Sequence, residues 1–483
     1  VNTWVARALA RERRTHWALV VGVAVVAFAL RAVLVTSRPP PLFPGADNAW
    51  YDLVAQSFAD GHLGRLPAVG GGRVFSTRFP PGYPVVLALG RGPLFFLDFR
   101  DAHLWTGVIL GTVGAALVAA LGWRLASRAG ERCQVLLAAS AGLLFAVNPI
   151  VVGAAPSLMA ETLVLPVVAG TLLLTDRLLT GDGGWPDAVG LGALLAVGAL
   201  TRGEGVLLLG AVVVGGWIAA RARGRAARPW LVALGIGVAA VVAWSAVISV
   251  ASHRVVALST NSGSLLLGAN CPLLDNANSI GYWSVGCLEV RGGPGLSPET
   301  ARRSAAQLEF LEDHFALPPQ IGAPGEAEIS TAQFNEATNR LTERPLPTLA
   351  AIPVRVLRGL GLYWSQHQSA QEYYEGRDHG WEVVGRWFNA VVVLPFAFVA
   401  VLGVAWRRSR LGARVRALVD IRRLVPSFVL IAAWVLVLVA TYGSARFRAV
   451  VEPSLALLAG IGITVVLTMV TDVRAARSTV RDR

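Results

Sequence analysis

Residues 188–228 read AVGLGALLAVGALTRGEGVLLLGAVVVGGWIAARARGRAAR. Two apolar runs, 188–201 and 206–220, are joined by Thr201-Arg202-Gly203-Glu204-Gly205 and followed by Arg221, Arg223, Arg225 and Arg228. Each run falls short of the roughly 20 residues that cross a bilayer untilted. The polar loops on both sides, 177–187 and 221–229, belong on the cytoplasmic face. The two runs therefore go out and return as a hairpin, and its tip leaves Arg202 and Glu204 at or below the outer membrane surface. The mutual ion pair of these two residues is a structural alternative to a functional role.

The rest of the chain extends this pattern. It has 483 residues, 54% of them hydrophobic and 15% charged, with a mean hydropathy of +0.56, which is too apolar for a soluble protein of this size. Further apolar segments run over 17–35, 103–121, 133–147, 161–174, 230–250, 387–404, 425–440 and 449–470, giving about ten crossings. The first is long for a signal sequence and lacks a clear A-x-A-like cleavage site, so it reads as the first crossing.

A net charge of +13 and a pI near 10.9 would by themselves fit nucleic acid or anionic lipid. The distribution of the charge removes that need. With both termini and the loops 123–132, 177–187, 221–229 and 407–423 in the cytoplasm, the arginine excess falls on that side and the remainder is close to neutral, as the positive-inside rule requires. No nucleic-acid partner is expected. The chain contains no lysine, which in an Ala/Val/Gly-rich background fits a GC-rich bacterial genome.

Two outer regions have room for chemistry, a first loop over 36–102 and a longer one over 251–386. The first carries a helix signal, Pro44-Gly45 and then 47–59, with Trp50, Tyr51, Val54 and Phe58 at helical spacing. Tyr51 and Asp52 also fit surface positions. The apolar piece 83–97 is broken by Gly90, Arg91 and Pro93 and reads as re-entrant or interfacial. The longer loop has helix starts at Ser297-Pro298 and Ser330-x-x-Gln333, and an apolar stretch over 347–364 that carries Arg355 and Arg358. Cys271 and Cys287 lie in this loop, where a disulfide persists and would stabilise it by roughly 3 kcal/mol. Unlinked thiols are the alternative, and no His stands at zinc-ligand spacing.

Five polar cues converge on the outer face. Asp47 is the first acid after the first crossing, and a helix-start acid is its bland reading. Ser76-Thr77-Arg78-Phe79-Pro80-Pro81-Gly82-Tyr83-Pro84 is a proline-stiffened turn that would fix Arg78, whose planar fork suits phosphate. Asn148-Pro149 precedes Glu161, an acid at the outer end of a crossing and costly there without a role. The hairpin tip is the fourth cue. Tyr442-Gly443-Ser444-Ala445-Arg446-Phe447-Arg448, with Glu452-Pro453 behind it, is the fifth, snorkelling arginines being its alternative.

Together these motifs resemble the GT-C glycosyltransferase superfamily, near its protein mannosyltransferase and lipid A aminoarabinose transferase branch. The resemblance covers 17 to about 250 and returns over 345–470. Asn270-Cys271, Gly281-Tyr282-Trp283 and Cys287 resemble cap regions of actinobacterial members. Aminoarabinose transferases carry Glu-Lys where this chain has Arg78-Phe79, so the substrate is not implied.

The resemblance implies an all-α polytopic GT-C fold: a membrane core over 1–250 with a catalytic first loop, an extracytoplasmic cap over 251–386, and C-terminal helices with a basic tail over 387–483. It implies transfer of a sugar from a polyprenyl-phosphate donor, entering from the membrane lipid, to an extracytoplasmic glycan, lipid or protein. Asp47 would be the base and Glu161 its partner. Arg78, Arg202 and Arg446, with Arg448 in reserve, would hold the phosphate, and Tyr51, Tyr83 and Glu204 would line the cavity. No cofactor is implied, and dependence on a divalent metal is left open. A transporter or flippase is the alternative class, although no inverted repeat is visible.

Overall fold

The computed structural model describes residues 2–37, 46–67, 72–288 and 323–481. The Pro44-Gly45 and Ser297-Pro298 cues lie outside the described residues. The chain is a helical, multi-span membrane protein, and among the described residues its strands are one short antiparallel pair, β1 (Arg65–Pro67) and β2 (Arg73–Phe75). Among the described residues seven helical spans are long and apolar enough to cross a bilayer.

Ten helical stretches carry the ten apolar segments. In chain order the helices are α1 (Asn2–Ser37), α2 (Asp47–Ala59), α3 (Gly82–Gly90), α4 (Phe99–Leu125), α5 (Glu131–Val147), α6 (Pro149–Gly153), α7 (Glu161–Thr180), α8 (Trp185–Thr201), α9 (Gly205–Arg221) and α10 (Arg228–Ser252). They continue with α11 (Ser262–Ala269), α12 (Ala323–Glu343), α13 (Pro345–Gly359), α14 (Gln366–Tyr374), α15 (His379–Phe388), α16 (Leu394–Ala405), α17 (Arg410–Leu418), α18 (Val425–Ala440) and α19 (Glu452–Arg481). The three of the ten that fall short of the spanning length, α5, α8 and α9, have 17 residues each. A one-residue-per-bond helix of that length reaches about 25 Å, a few ångströms less than the bilayer core. α3 has nine residues and reaches about 14 Å, too little to cross.

The core is built around α7, which is buried along nearly its whole length and packs on α4, α8 and α9. A π-helical turn over Asn389–Val393 joins α15 to α16 as one span. Asn389 and Asn148 exchange amide hydrogen bonds there, and Asn148 also donates to Glu452 at 3.1 Å. Asn148 caps α6 by accepting from the Ile150 N–H. The Asn-Pro cue thus marks a junction of three helices.

Four of the basic loops meet at one end of the bundle. Arg423 grips the buried Asp176 through Nε and Nη2 at 2.7 and 2.8 Å, and Arg124 bonds Asp176 and Asp182. Arg128 and Arg223 share Asp420. Buried carboxylates at this end are therefore paired, as burial of a charge demands.

In the region after α10, α12 runs straight through Ser330 and Gln333, which are buried mid-helix rather than at a helix start. Their side chains serve packing: Ser330 Oγ accepts from the Gly263 N–H, and Gln333 donates to the Leu288 carbonyl. The expected cap is thus overridden by tertiary contact with α11. Arg355 and Arg358, on α13, are buried and bond backbone carbonyls of Val439, Ile280 and Asn278, which staples this region to α18. Cys271 and Cys287 are disulfide-bonded with Cα atoms 5.9 Å apart. Mass spectrometry of unreduced protein is expected to recover one peptide linked through these two residues. Recovery of both as free thiols from membranes handled without reductant would contradict it.

Candidate functional site

The end of α7 opposite to Asp176 carries Glu161, and the two acids are about 22 Å apart along the helix axis. Glu161 is 1% exposed. Arg202, which ends α8, donates to it through Nη1 at 2.6 Å and to Glu204 through Nε at 2.5 Å. The tight hairpin makes this possible. Gly205 opens α9 so close to α8 that a Cβ there would lie 2.4 Å from the Gly198 carbonyl oxygen.

Arg446 completes the cluster. It sits on a 3-10 turn, Ala445–Val450, whose cap Ser444 accepts from the Arg446 N–H at 3.2 Å and donates to Glu372 at 3.1 Å. Its side chain is 9% exposed, and its guanidinium meets three carboxylates from three separate elements. Nη2 donates to Asp47 at 3.3 Å, Nε lies 2.9 Å from Glu161, and Nη1 pairs with Glu375. Asp47 stands in the first turn of α2, its side chain 25% exposed. It is the most open carboxylate of the group.

Glu375 follows α14 and precedes Gly376, which has φ +79° and lies where a Cβ would come within 2.6 Å of Asn48 Nδ2. Only glycine combines that backbone with so close an approach, so Gly376 lets the end of α14 rest on the start of α2. Burial pushes the Glu375 carboxyl up to about 7, with Asp47 adding to the rise and Arg446 opposing it. Burial opposes the charge on Arg446, yet Glu375 and Glu161 outweigh it and hold the guanidinium firmly protonated. Burial raises the Tyr51 phenol far above its ordinary range, and Asp47 adds to this.

The other expected residues distribute as follows. Tyr51 and Tyr83 stack edge to face at 5.3 Å beneath α2, both buried. Asp52 is also buried, bonded to His103 Nδ1 at 2.6 Å, so neither Tyr51 nor Asp52 is a surface residue: α2 presents this face to α3 and α4. Arg78 lies over the rings of Trp50 and Phe79 at 5.6 and 5.4 Å, close to the start of α2 but outside the ion-paired cluster. Arg448 is fully buried and pairs with Glu452 at 2.6 Å, also outside it.

Two acids escaped sequence reasoning. Glu326 on α12 accepts from the Thr77 N–H, Thr77 Oγ1 and Ser76 Oγ and so fixes the turn that holds Arg78. Burial raises its carboxyl, against those three hydrogen bonds. Glu375 is the other, and an acid before a helix-ending glycine in Tyr374-Glu375-Gly376 is its one local signal. Among the described residues no group of three His, Cys, Asp or Glu side chains is arranged to hold a metal ion.

Chemically, the cluster offers a half-open carboxylate beside a guanidinium in a water-poor setting. That combination can take a proton and stabilise a developing negative charge.

No protein-family model and no curated protein matches the chain. Among solved structures it is similar to the archaeal oligosaccharyltransferase AglB from Archaeoglobus fulgidus, in complex with an inhibitory peptide and a dolichol-phosphate. The identity is 14% and the TM-score 0.45, over 96% of this chain and 52% of that one. It is also similar to ArnT from Cupriavidus metallidurans bound to undecaprenyl phosphate, at 17% identity and a TM-score of 0.36, over 92% of this chain and 77% of that one. The chain spans about half the length of the archaeal protein.

Proposed function

We propose that the chain is a GT-C-type glycosyltransferase of the bacterial plasma membrane, with both termini cytoplasmic and its site on the outer face. It transfers a sugar from a polyprenyl-phosphate donor to an acceptor hydroxyl on an envelope glycan, lipid or protein. The observation that carries the reading is Arg446, which joins Asp47, Glu161 and Glu375 from distant parts of the chain at the end of the bundle away from the basic loops.

In this reaction the acceptor oxygen attacks the anomeric carbon while Asp47 takes its proton. The bond from that carbon to the phosphate oxygen breaks on the opposite face, so configuration inverts. Negative charge grows on the departing phosphate, and Arg202 and Arg446 stabilise it through charge-assisted hydrogen bonds. Glu161, held between both arginines, fixes their forks. Arg78 extends the basic wall beside Trp50, and Tyr51, Tyr83 and Glu204 shape the cavity. Arg448 is assigned to the helix junction with Glu452 instead.

Purified protein supplied with a panel of radiolabelled polyprenyl-phosphate sugars and envelope extract is expected to move label from lipid to a polar product. Absence of transfer across the panel, with lipid-linked sugar instead crossing proteoliposome membranes, would favour a flippase and defeat this reading.

A further inference from the structure

The ion pairs around Arg446 raise a question that the proposed function leaves open. Asp47, Glu161, Glu204 and Glu375 supply four carboxylates, and Arg202 and Arg446 two guanidinium groups. Fully ionised, the cluster has a formal charge of −2. A phosphate brought to Arg446 would meet a guanidinium whose every edge already faces a carboxylate: Asp47 at Nη2, Glu161 at Nε and Glu375 at Nη1. One of the three has to leave before a phosphate oxygen can take its place.

The three differ in how firmly they are held. Glu161 is buried at the start of α7 and shared with Arg202. Asp47 stands in the first turn of α2, where the helix dipole favours its charge. Glu375 has neither support. It follows the last residue of α14, and its second oxygen, Oε2, is buried with no hydrogen-bond partner, as is Oε2 of Glu161, which Arg202 nonetheless holds through Oε1.

Resting on the glycosyltransferase reading, we propose that Glu375 is a resident anion that occupies the donor-phosphate subsite on Arg446, and that the donor enters by displacing it. In the empty site Glu375 occupies the Nη1 edge of Arg446, while Asp47 and Glu161 hold the other two. On donor binding a proton from solvent adds to the Glu375 carboxylate, and the neutral acid gives up Arg446 to the phosphate. The chain of charge is then restored by the incoming anion.

The groups that face Glu375 set the sign. Arg446 favours its charged form, Asp47 on α2 and Glu161 on α7 oppose it, and the neighbouring phenols of Tyr442 and Tyr282 remain neutral through burial. The outcome is the rise to about 7. Below that pH the acid is protonated in the empty site and displacement is cheap. Above it a proton must be taken up, and donor affinity falls as pH rises.

The test is equilibrium binding of undecaprenyl phosphate to the full chain at pH 6, 7 and 8. The ligand's own second proton titrates near 6 in every variant, so ratios between variants isolate the protein. Glu375→Gln should bind about as tightly as wild type at pH 6 and about tenfold more tightly at pH 8, with Glu375→Ala as a second neutral variant. Asp47→Asn should keep a fall in affinity with rising pH, centred lower than in wild type because the Asp47 charge helps to raise the Glu375 carboxyl.

A ratio between Glu375→Gln and wild type that stays near one across this range overturns the resident-anion assignment, and so does an equal effect from Asp47→Asn. Should the glutamine and alanine variants fail to fold, wild type still decides with the methyl ester of undecaprenyl phosphate, a phosphodiester with no proton that titrates in this range: unchanged or tighter binding from pH 6 to 8 counts against the proposal. Failure of wild type to bind the lipid phosphate at any pH would instead remove the glycosyltransferase reading and this inference with it.

Discussion

Asp47→Asn is expected to reach the membrane in normal amounts and lose about 100-fold or more in turnover. The asparagine keeps the size of the side chain and can still accept a hydrogen bond at the start of α2, and the original carboxylate is already 25% exposed beside Arg446. Little stability therefore rides on its charge. It cannot take a proton from an acceptor hydroxyl near neutral pH. Binding of undecaprenyl phosphate, measured separately, should persist because Arg202 and Arg446 are untouched. Turnover close to wild type would move the base to Glu161 or Glu375, which face the same guanidinium.

Arg446→Ala should be the most damaging single change in the site. It leaves Asp47, Glu161 and Glu375 without their common cation, and breaking a buried pair by removing one partner costs about 3–5 kcal/mol. Thermal unfolding in detergent should register that loss, and binding of undecaprenyl phosphate should fall below detection. Arg446→Lys separates the two effects. The ammonium restores charge to the carboxylates but lacks the planar fork, so most of the stability should return while phosphate affinity stays at least tenfold weaker. Full recovery of affinity in the lysine variant would show that the fork geometry is not what the site uses.

The fold was legible because lipid is a simple solvent. Apolar runs and one-sided arginine report directly on crossings, and the helices α1, α4, α7, α10, α18 and α19 fall where the hydropathy pattern places them. The site was legible only as separate fragments. Asp47, Glu161, Arg202 and Arg446 each stand out for being polar at membrane depth, yet nothing local says that residues 399 positions apart, Asp47 and Arg446, touch.

Residues whose role depends wholly on such contacts were missed. Glu326 and Glu375 have ordinary surroundings in sequence and acquire meaning from the turn at Thr77 and from Arg446. Ser330 misled for the same reason, since a hydroxyl that meets the Gly263 backbone across a helix interface resembles a cap in one dimension. Arg448 shares a motif with Arg446, but the 3-10 turn points the two side chains to different partners, Glu452 for one and the carboxylate cluster for the other.

The paired ends of α7 have a mechanical consequence. Sliding the helix by one turn, about 5.4 Å, would drag Glu161 or Asp176 away from its arginines and into the apolar middle of the bundle. Those opposed anchors remove axial translation from the motions available to the core, much as a bolt secured at both heads fixes the plates between them. Any opening for the lipid tail of the proposed donor must then come from elements that carry no second anchor. The end of α14 can yield only at Glu375, beyond Glu372, whose buried carboxylate Arg386 and Ser444 hold.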